Sequence, residues 1–222
     1  NLHSGLNLFN FGQKTGIDIP GERGGILPSR SWKKINRNEP WYKGETLNTG
    51  IGQGFMTASP LQLAVTTAAL ANKGQLLKPV LLKNTQLPGQ SITEVKKSVG
   101  RQIPIRDIKN WETVIEGMRQ VVYSPKGTAR RLNNKLAYTL AGKTGTAQVF
   151  GLDAEEVYIA EKLAEKLRDH ALFTGFAPIE NPEIAIAVVV ENAGSGSSKA
   201  APLARKVLDV YFNKQSADGL TQ

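Results

Sequence analysis

Residues 170–191 constrain the fold of this chain more than any other stretch. Two β-type apolar runs, 171–178 and 183–191, are separated only by the Asn181-Pro182 turn. A connection of about four residues is too short for a crossover, so the two strands must be antiparallel. The run Ala185–Val190 is apolar at every position, which predicts a central strand buried on both faces.

Helical signals surround this pair. Ser59 is a good N-cap, Pro60 suits the first helical position and Gln62 completes a capping box. Leu61, Ala64, Val65, Ala68 and Leu70 form an apolar stripe, and Gly74 reads as the stop. Ile108, Trp111, Val114, Ile115, Met118, Val121 and Val122 predict a helix over 108–123, capped by Asp107. Residues 202–212 predict a terminal amphipathic helix and 154–168 a charged helical segment. Residues 76–83 read as a short edge strand because Pro79 forbids a central one, and 136–149 as a strand rich in Thr and small residues. Residues 84–104 are polar and turn-rich, and Gly194–Ser198 reads as a flexible loop. The fold class is α/β (α+β): an antiparallel sheet flanked by helices.

The first 55 residues show no period. Gly12-Gln-Lys-Thr-Gly16, Pro20-Gly21, Gly24-Gly25, Pro28 and Pro40 punctuate them, which predicts a long loop system. Trp32, Trp41 and Tyr42 argue that it is packed and not a linker.

Composition restricts the chemistry. There is no cysteine, and there are only two histidines, His3 and His170. Cysteine nucleophiles, thiolate metal sites and histidine-based triads are therefore disfavoured, and acid–base work falls on Lys, Asp, Glu or Tyr. His170 reads as a structural, hydrogen-bonded histidine, with Arg168 and Asp169 in local pairs. The charge of +9 is lopsided: residues 1–111 hold 15 basic and 6 acidic residues, and residues 112–222 hold 13 of each. Such a balance suits an anionic partner or a plainly solvated basic surface. The basic residues occur singly or in pairs with no RNA-type aromatic motif, so nucleic acid is not the expected partner.

Gly142-Lys143-Thr144 invites a phosphate-loop reading. That loop needs a glycine five positions earlier, where Ala137 stands, and a helix directly afterwards, where strand continues. The Lys-Thr-Gly strand element of serine acyl-transfer enzymes that react with β-lactams fits each residue better. On an edge strand, the Lys143 ammonium attracts a substrate carboxylate, and the Thr144 and Thr146 hydroxyls, two residues apart, share a face and can bond it. Gly145 admits a substrate backbone as an added strand, and the Thr146 N–H points at a developing oxyanion.

Lys143–Gln148, together with Gly50-Ile-Gly-Gln-Gly-Phe-Met-Thr-Ala-Ser-Pro-Leu-Gln-Leu-Ala64, resembles the class B penicillin-binding proteins. There, a Gly-Gln-Gly turn leads into a Ser-Pro- or Thr-Pro-capped helix some ninety residues before the Lys-Thr/Ser-Gly-Thr strand, the spacing of Gln53 and Lys143 here. Pro40-Trp-Tyr-Lys-Gly-Glu-Thr46, Ala147-Gln-Val-Phe-Gly151 and Leu167-Arg-Asp-His170 are similar to the elongation-specific penicillin-binding protein 2 group of Gram-negative bacteria. The resemblance runs from about residue 5 to residue 212. It implies the penicillin-binding protein/serine β-lactamase-like fold and D,D-transpeptidation of peptidoglycan stem peptides through a serine acyl-enzyme that β-lactam antibiotics trap. It further implies that Lys143 and Thr146 are catalytic, and that Lys143, Thr144, Gly145 and Thr146 bind substrate. No cofactor and no metal are implied. The implied location is the periplasmic face of the inner membrane, beside a glycan polymerase of the elongation complex.

The resemblance has a gap. The family's Ser-x-x-Lys nucleophile motif and its Ser-x-Asn or Ser-x-Asp second motif are expected ahead of the Lys-Thr-Gly strand. Ser31-Trp-Lys-Lys34 alone has the first spacing there, and it falls in a Trp- and Lys-rich loop after Pro28, so it is rejected as nucleophile. Residues 1–222 are therefore expected to be the C-terminal half of a transpeptidase domain, with anchor, pedestal domain and nucleophile-bearing half upstream. Two other readings stay open: a serine β-lactamase, and a non-catalytic β-lactam sensor or peptidoglycan-binding module.

Overall fold

The computed structural model describes residues 2–95, 100–149 and 164–218, divided between two compact units, 1–106 and 107–222. The first unit contains α1 (Leu2–Leu8), α2 (Arg30–Arg37), α3 (Lys43–Gly50) and α4 (Pro60–Ala71). Four two-residue strands follow: β1 (Gln75–Leu76), β2 (Asn84–Thr85), β3 (Thr93–Glu94) and β4 (Arg101–Gln102).

The expected loop over the first 55 residues thus carries three short helices. Local side-chain caps make them. Ser29 Oγ accepts from the Trp32 N–H at 3.0 Å to start α2, and Asn38 closes it in the left-handed region at φ 55°. The Glu45 carboxylate accepts from the Tyr42 N–H at 2.7 Å to start α3. The packing centre between them is Lys33, buried at 1% exposure. It bonds to Glu45, lies 3.3 Å from Glu39 and sits 4.2 Å from the Tyr42 ring centroid. Burial pushes its ammonium down, but the two carboxylates outweigh that and hold it above the ordinary lysine range.

Helix α4 follows its sequence signals at the cap and departs from them on its face. Ser59 Oγ accepts from the Gln62 N–H at 3.1 Å, and Gln62 Oε1 accepts from the Ser59 N–H at 2.8 Å. The apolar stripe is only half-buried, whereas Gln62, Thr67, Ala69 and Ala71 are buried. Gln62 is inward because its Nε2 donates to the carbonyls of Gly24 (2.7 Å), Gln13 (2.8 Å) and Asn10 (3.2 Å). One amide therefore ties two distant turns to the helix. Gln62→Ala should destabilise the protein by about 2 kcal/mol, because the partnered carbonyls can only partly rehydrate. Chemical denaturation measures this, and a loss under about 0.5 kcal/mol would mean that water replaces the amide at no cost.

The expected strand 76–83 shrinks to β1, paired antiparallel with β4. Beyond Pro79, the N–H groups of Leu81 and Leu82 donate to the Asp18 carboxylate at 2.7 and 2.9 Å instead of to a neighbouring strand. Those two bonds hold the Asp18 carboxyl below its ordinary range. Strands β2 and β3 form a short antiparallel pair within the turn-rich stretch.

The second unit contains α5 (Lys109–Tyr123), a 3-10 turn (Arg130–Asn133), β5 (Ala141–Ala147), β6 (His170–Ala177), β7 (Ile184–Val190) and α6 (Ala201–Asp218). Ile108 and not the expected Asp107 holds the N-cap position of α5, although Asp107 Oδ1 accepts from the Lys109 N–H at 2.9 Å. Trp111, Met118 and Val122 are the buried members of its stripe, while Ile108 and Val114 are exposed. Strands 170–177 and 184–190 pair antiparallel, as the short turn requires, and the sheet order is β5-β6-β7.

Among the described residues, β6 lies between β5 and β7, and the more apolar 185–190 run has one strand neighbour. Strand β6 is hydrogen-bonded on both sides, and Ala171, Phe173, Phe176 and Ala177 have no exposed surface. All seven β7 residues are half-buried. The expected strand 136–149 narrows to 141–147, because side chains take up the backbone and packing ahead of it. The Leu140 N–H donates to the Tyr123 hydroxyl at 3.2 Å, and Tyr138 stacks on Phe212 with centroids 4.4 Å apart. Burial and the Asp209 carboxylate, 2.9 Å from its oxygen, push the Tyr138 phenol far above its ordinary range. Arg205 of α6 donates to the carbonyls of Leu132, Asn134 (2.7 Å) and Lys135 (3.1 Å), which docks α6 on the segment leading into β5. Val122, Ala129, Leu140, Phe173, Ala204 and Leu208 share the resulting core.

Of the expected charged helix 154–168, residues 154–163 lie outside the described residues, and 165–167 form a single 3-10 turn. No helix among the described residues is long and apolar enough to cross a membrane.

Candidate active site

Strand β5 carries every residue expected to do chemistry, and among the described residues it is one edge of the three-stranded sheet. Its register against β6 pairs Lys143 with Thr174, Thr144 with Phe173, Gly145 with Leu172 and Thr146 with Ala171. Strand alternation therefore puts Thr144 and Thr146 on the Phe173 face and Lys143 on the other. Lys143 and Thr146 are exposed, and Thr144 and Gly145 are half-buried. The Lys143 Nζ turns back to its own strand and donates to the Thr144 carbonyl at 2.6 Å. The two faces converge at the strand's outer edge, which is where one anion can be reached by the ammonium and both hydroxyls.

Two residues outside the motif shape this strand. Thr128, just after α5, places its hydroxyl 2.8 Å from that of Thr144. Gly196 presses on the backbone from the other end of the unit: a Cβ there would lie 2.2 Å from the Leu172 carbonyl oxygen and 2.3 Å from that of Gly145. The Gly194–Ser198 segment is accordingly not a flexible loop. It enters a π-helical turn, Gly196–Ala200, and Gly196 and Ala200 are buried. The Gly194 N–H donates to the Asp169 carbonyl at 2.8 Å. Asn192, at φ 53°, donates its N–H to His170 Nδ1 at 3.0 Å and its amide to the carbonyls of Arg168 (2.9 Å) and Lys166 (3.1 Å). His170 is thus a structural acceptor, as its position implied. Burial pushes the adjacent Asp169 carboxyl up, against the opposing pull of the Val149 N–H and of His170.

In the first unit, the Gly-Gln-Gly stretch forms a turn with Gly52 and Gly54 at φ 77° and 75°, ahead of the capped helix α4. Trp32 and Phe55 pack with centroids 5.3 Å apart, and Trp41 Nε1 donates to Thr46 Oγ1 at 2.9 Å. Ser31 does lie at a helix start, in the first turn of α2, rather than in a loop. It is exposed with Lys34, and its hydroxyl is 2.9 Å from that of Ser29. The buried lysine is Lys33, which is committed to Glu39 and Glu45. A cavity of about 670 Å³ lined by Pro28, Ser29, Arg30, Ser31, Trp41 and Thr49 includes the rejected Ser31 and none of the β5 residues expected to do chemistry.

Sequence reasoning named the four strand residues and missed Thr128, Asn192 and Gly196. Gly-Ser-Gly carries a flexible signature whether it is free or wedged, and nothing in the spacing of Thr128 marks a partner 16 positions away.

The edge strand and its Lys-Thr-Gly-Thr arrangement define a class, and the family comparison agrees. The chain belongs to the family described as the penicillin binding protein transpeptidase domain, which it matches over residues 1–209. Within that family it is 42% identical over 210 residues to the peptidoglycan D,D-transpeptidase MrdA of Escherichia coli K12, covering 94% of this chain and 32% of the relative. A crystal structure of Pseudomonas aeruginosa PBP2 in complex with WCK 5153 aligns with a TM-score of 0.79 at 47% identity, over 94% of this chain and 43% of that one. PBP2 of Helicobacter pylori, solved in complex with MreC, aligns with a TM-score of 0.78 at 32% identity, over 94% and 35% of the two chains. The chain therefore spans about a third of the length of the curated relative.

Proposed function

We propose that this chain supplies the carboxylate-binding and oxyanion side of a peptidoglycan D,D-transpeptidase that cross-links stem peptides during cell elongation. The observation that carries the reading is strand β5: an exposed Lys143 and the Thr144–Thr146 pair flank what is, among the described residues, a sheet edge, where an extended acyl-D-Ala-D-Ala peptide can lie as an added strand. Lys143, Thr144 and Thr146 hold its terminal carboxylate, Gly145 leaves room for its backbone, and the Thr146 N–H donates to the carbonyl oxygen as charge develops on it. A serine hydroxyl attacks that carbonyl, its proton passes to the departing D-Ala amine, and an ester remains. The amine of a neighbouring stem peptide then attacks the ester, and the serine recovers its proton. The family's nucleophilic serine and its lysine are not assigned to any residue of this chain. On the same reading the protein works at the periplasmic face of the inner membrane, with β-lactams as inhibitors and the glycan polymerase of the elongation complex as partner. The MreC complex of the Helicobacter relative supports a place in such an assembly.

Covalent trapping tests this. The intact natural protein carrying this sequence should gain the mass of one β-lactam and keep it, and should release D-Ala from stem-peptide substrates. Rapid turnover of the adduct would make it a β-lactamase, and trapping without D-Ala release a sensor. The isolated 222-residue polypeptide should form no adduct; an adduct on it would return Ser31 to consideration.

A further inference from the structure

Thr128 belongs to the same site by position, although nothing in the Lys-Thr-Gly-Thr pattern calls for it. The end of α5 is folded back tightly. The Ser124 N–H donates to the Gln120 carbonyl at 3.0 Å, the Gly127 N–H to the Ser124 carbonyl at 2.8 Å and the Ala129 N–H to the Val121 carbonyl at 3.0 Å. Gly127 is buried, and a Cβ there would fall 2.4 Å from the Val121 carbonyl oxygen and 2.6 Å from that of Gln120. Ala129, on the other side, is 2% exposed in the core shared with Val122 and Phe173. Thr128 is thus held between two packed residues on the Phe173 side of the sheet, the face that Thr144 shares, with its own side chain exposed.

Each threonine hydroxyl has one proton to donate and lone pairs to accept with. Across the 2.8 Å between Thr128 and Thr144, one proton occupies the contact. An anion at the strand edge accepts the Thr144 proton, so the proton between the two threonines must then come from Thr128. The hydrogen-bond chain acquires a direction, Thr128 to Thr144 to carboxylate, and each bond polarises the next.

We propose that Thr128 is a positioning residue of the carboxylate site, orienting the Thr144 hydroxyl as a donor toward the substrate's terminal carboxylate. This rests on the transpeptidase reading of β5 given above. It makes Thr128 a determinant of the preference for ligands with a free carboxylate, acting only through Thr144.

The experiment compares Thr128→Val and Thr128→Ser in the intact natural protein, reading the second-order rate of acylation by a penicillin and by the same penicillin with its carboxylate converted to a neutral carboxamide. Thr128→Val should lower the rate with the free acid about tenfold and with the carboxamide by less than about twofold, a difference at the upper end of what one hydrogen bond between neutral groups contributes. Thr128→Ser, which keeps the hydroxyl, should stay within about twofold of the parent on both. Thermal melting of each variant checks that the exposed position leaves the fold intact. Equal losses on acid and carboxamide, no loss on the acid, or a serine variant as impaired as the valine one would each overturn the proposal. Lys143→Ala is measured alongside. If it leaves acylation unchanged, the reading of β5 fails. If it removes acylation while Thr128→Val does nothing, only the role of Thr128 fails.

Discussion

Lys143→Ala should lower the rate of β-lactam acylation of the intact protein by about two to three orders of magnitude, the scale on which one preorganised electrostatic group acts. Its melting temperature should hardly move. The side chain is exposed, and its bond to the Thr144 carbonyl at 2.6 Å can be taken over by water. Exposed substitutions of this kind stay within about 0.5 kcal/mol. The loss should therefore be almost purely functional: a positive charge at the strand edge is removed while the β5–β6 ladder remains. Labelling with a fluorescent penicillin over a time course measures the rate, and circular dichroism the melting. Unchanged labelling of a folded variant would remove Lys143 from the site and the transpeptidase reading with it.

Gly196→Ala should damage both stability and activity. The added methyl would meet the carbonyl oxygens of Leu172 and Gly145 at 2.2 and 2.3 Å and the Gly145 nitrogen at 3.1 Å. These are backbone atoms of two paired strands, so no side-chain rotation relieves the clash, and either the π-helical turn or β5 must shift. Overpacking of this kind costs about 3 kcal/mol at the upper end of the usual range. For a chain of this size that is roughly a 6–12 °C fall in melting temperature. Because Gly145 lies between Thr144 and Thr146, a displaced β5 also misaligns both hydroxyls, and acylation should fall at least about tenfold, as expected for a misplacement approaching 1 Å. Ser195→Ala is the matched control. Its exposed hydroxyl bonds only locally, to Ser197 at 2.9 Å, and the variant should behave as the parent. A Gly196→Ala protein that melts and acylates as the parent would show that the turn is not wedged against the strand.

Much of the local architecture is legible in the sequence because it rests on short-range contacts. Ser59 and Gln62 cap α4 across three positions, the Asp107 carboxylate meets the Lys109 N–H across two, and the brief Asn181-Pro182 turn forces β6 and β7 antiparallel. The four candidate residues of β5 are adjacent in the chain, so their order and strand geometry place them together. The short helices α2 and α3 escape because their caps are surrounded by glycines and prolines that mask any period. The role of Gln62 escapes because an amide at the third helical position reads as a cap, and its second task is to satisfy carbonyls up to 52 residues away.

By itself the sequence determined the helix starts, the antiparallel pair and the Lys143–Thr146 strand, because these depend on hydrogen bonds and periodicities a few residues long. Only the tertiary structure decided that Gly196 wedges against Gly145 and that Thr128 meets Thr144. Those outcomes turn on which distant backbones approach within van der Waals contact, and a close approach between segments leaves no trace in the spacing of either one.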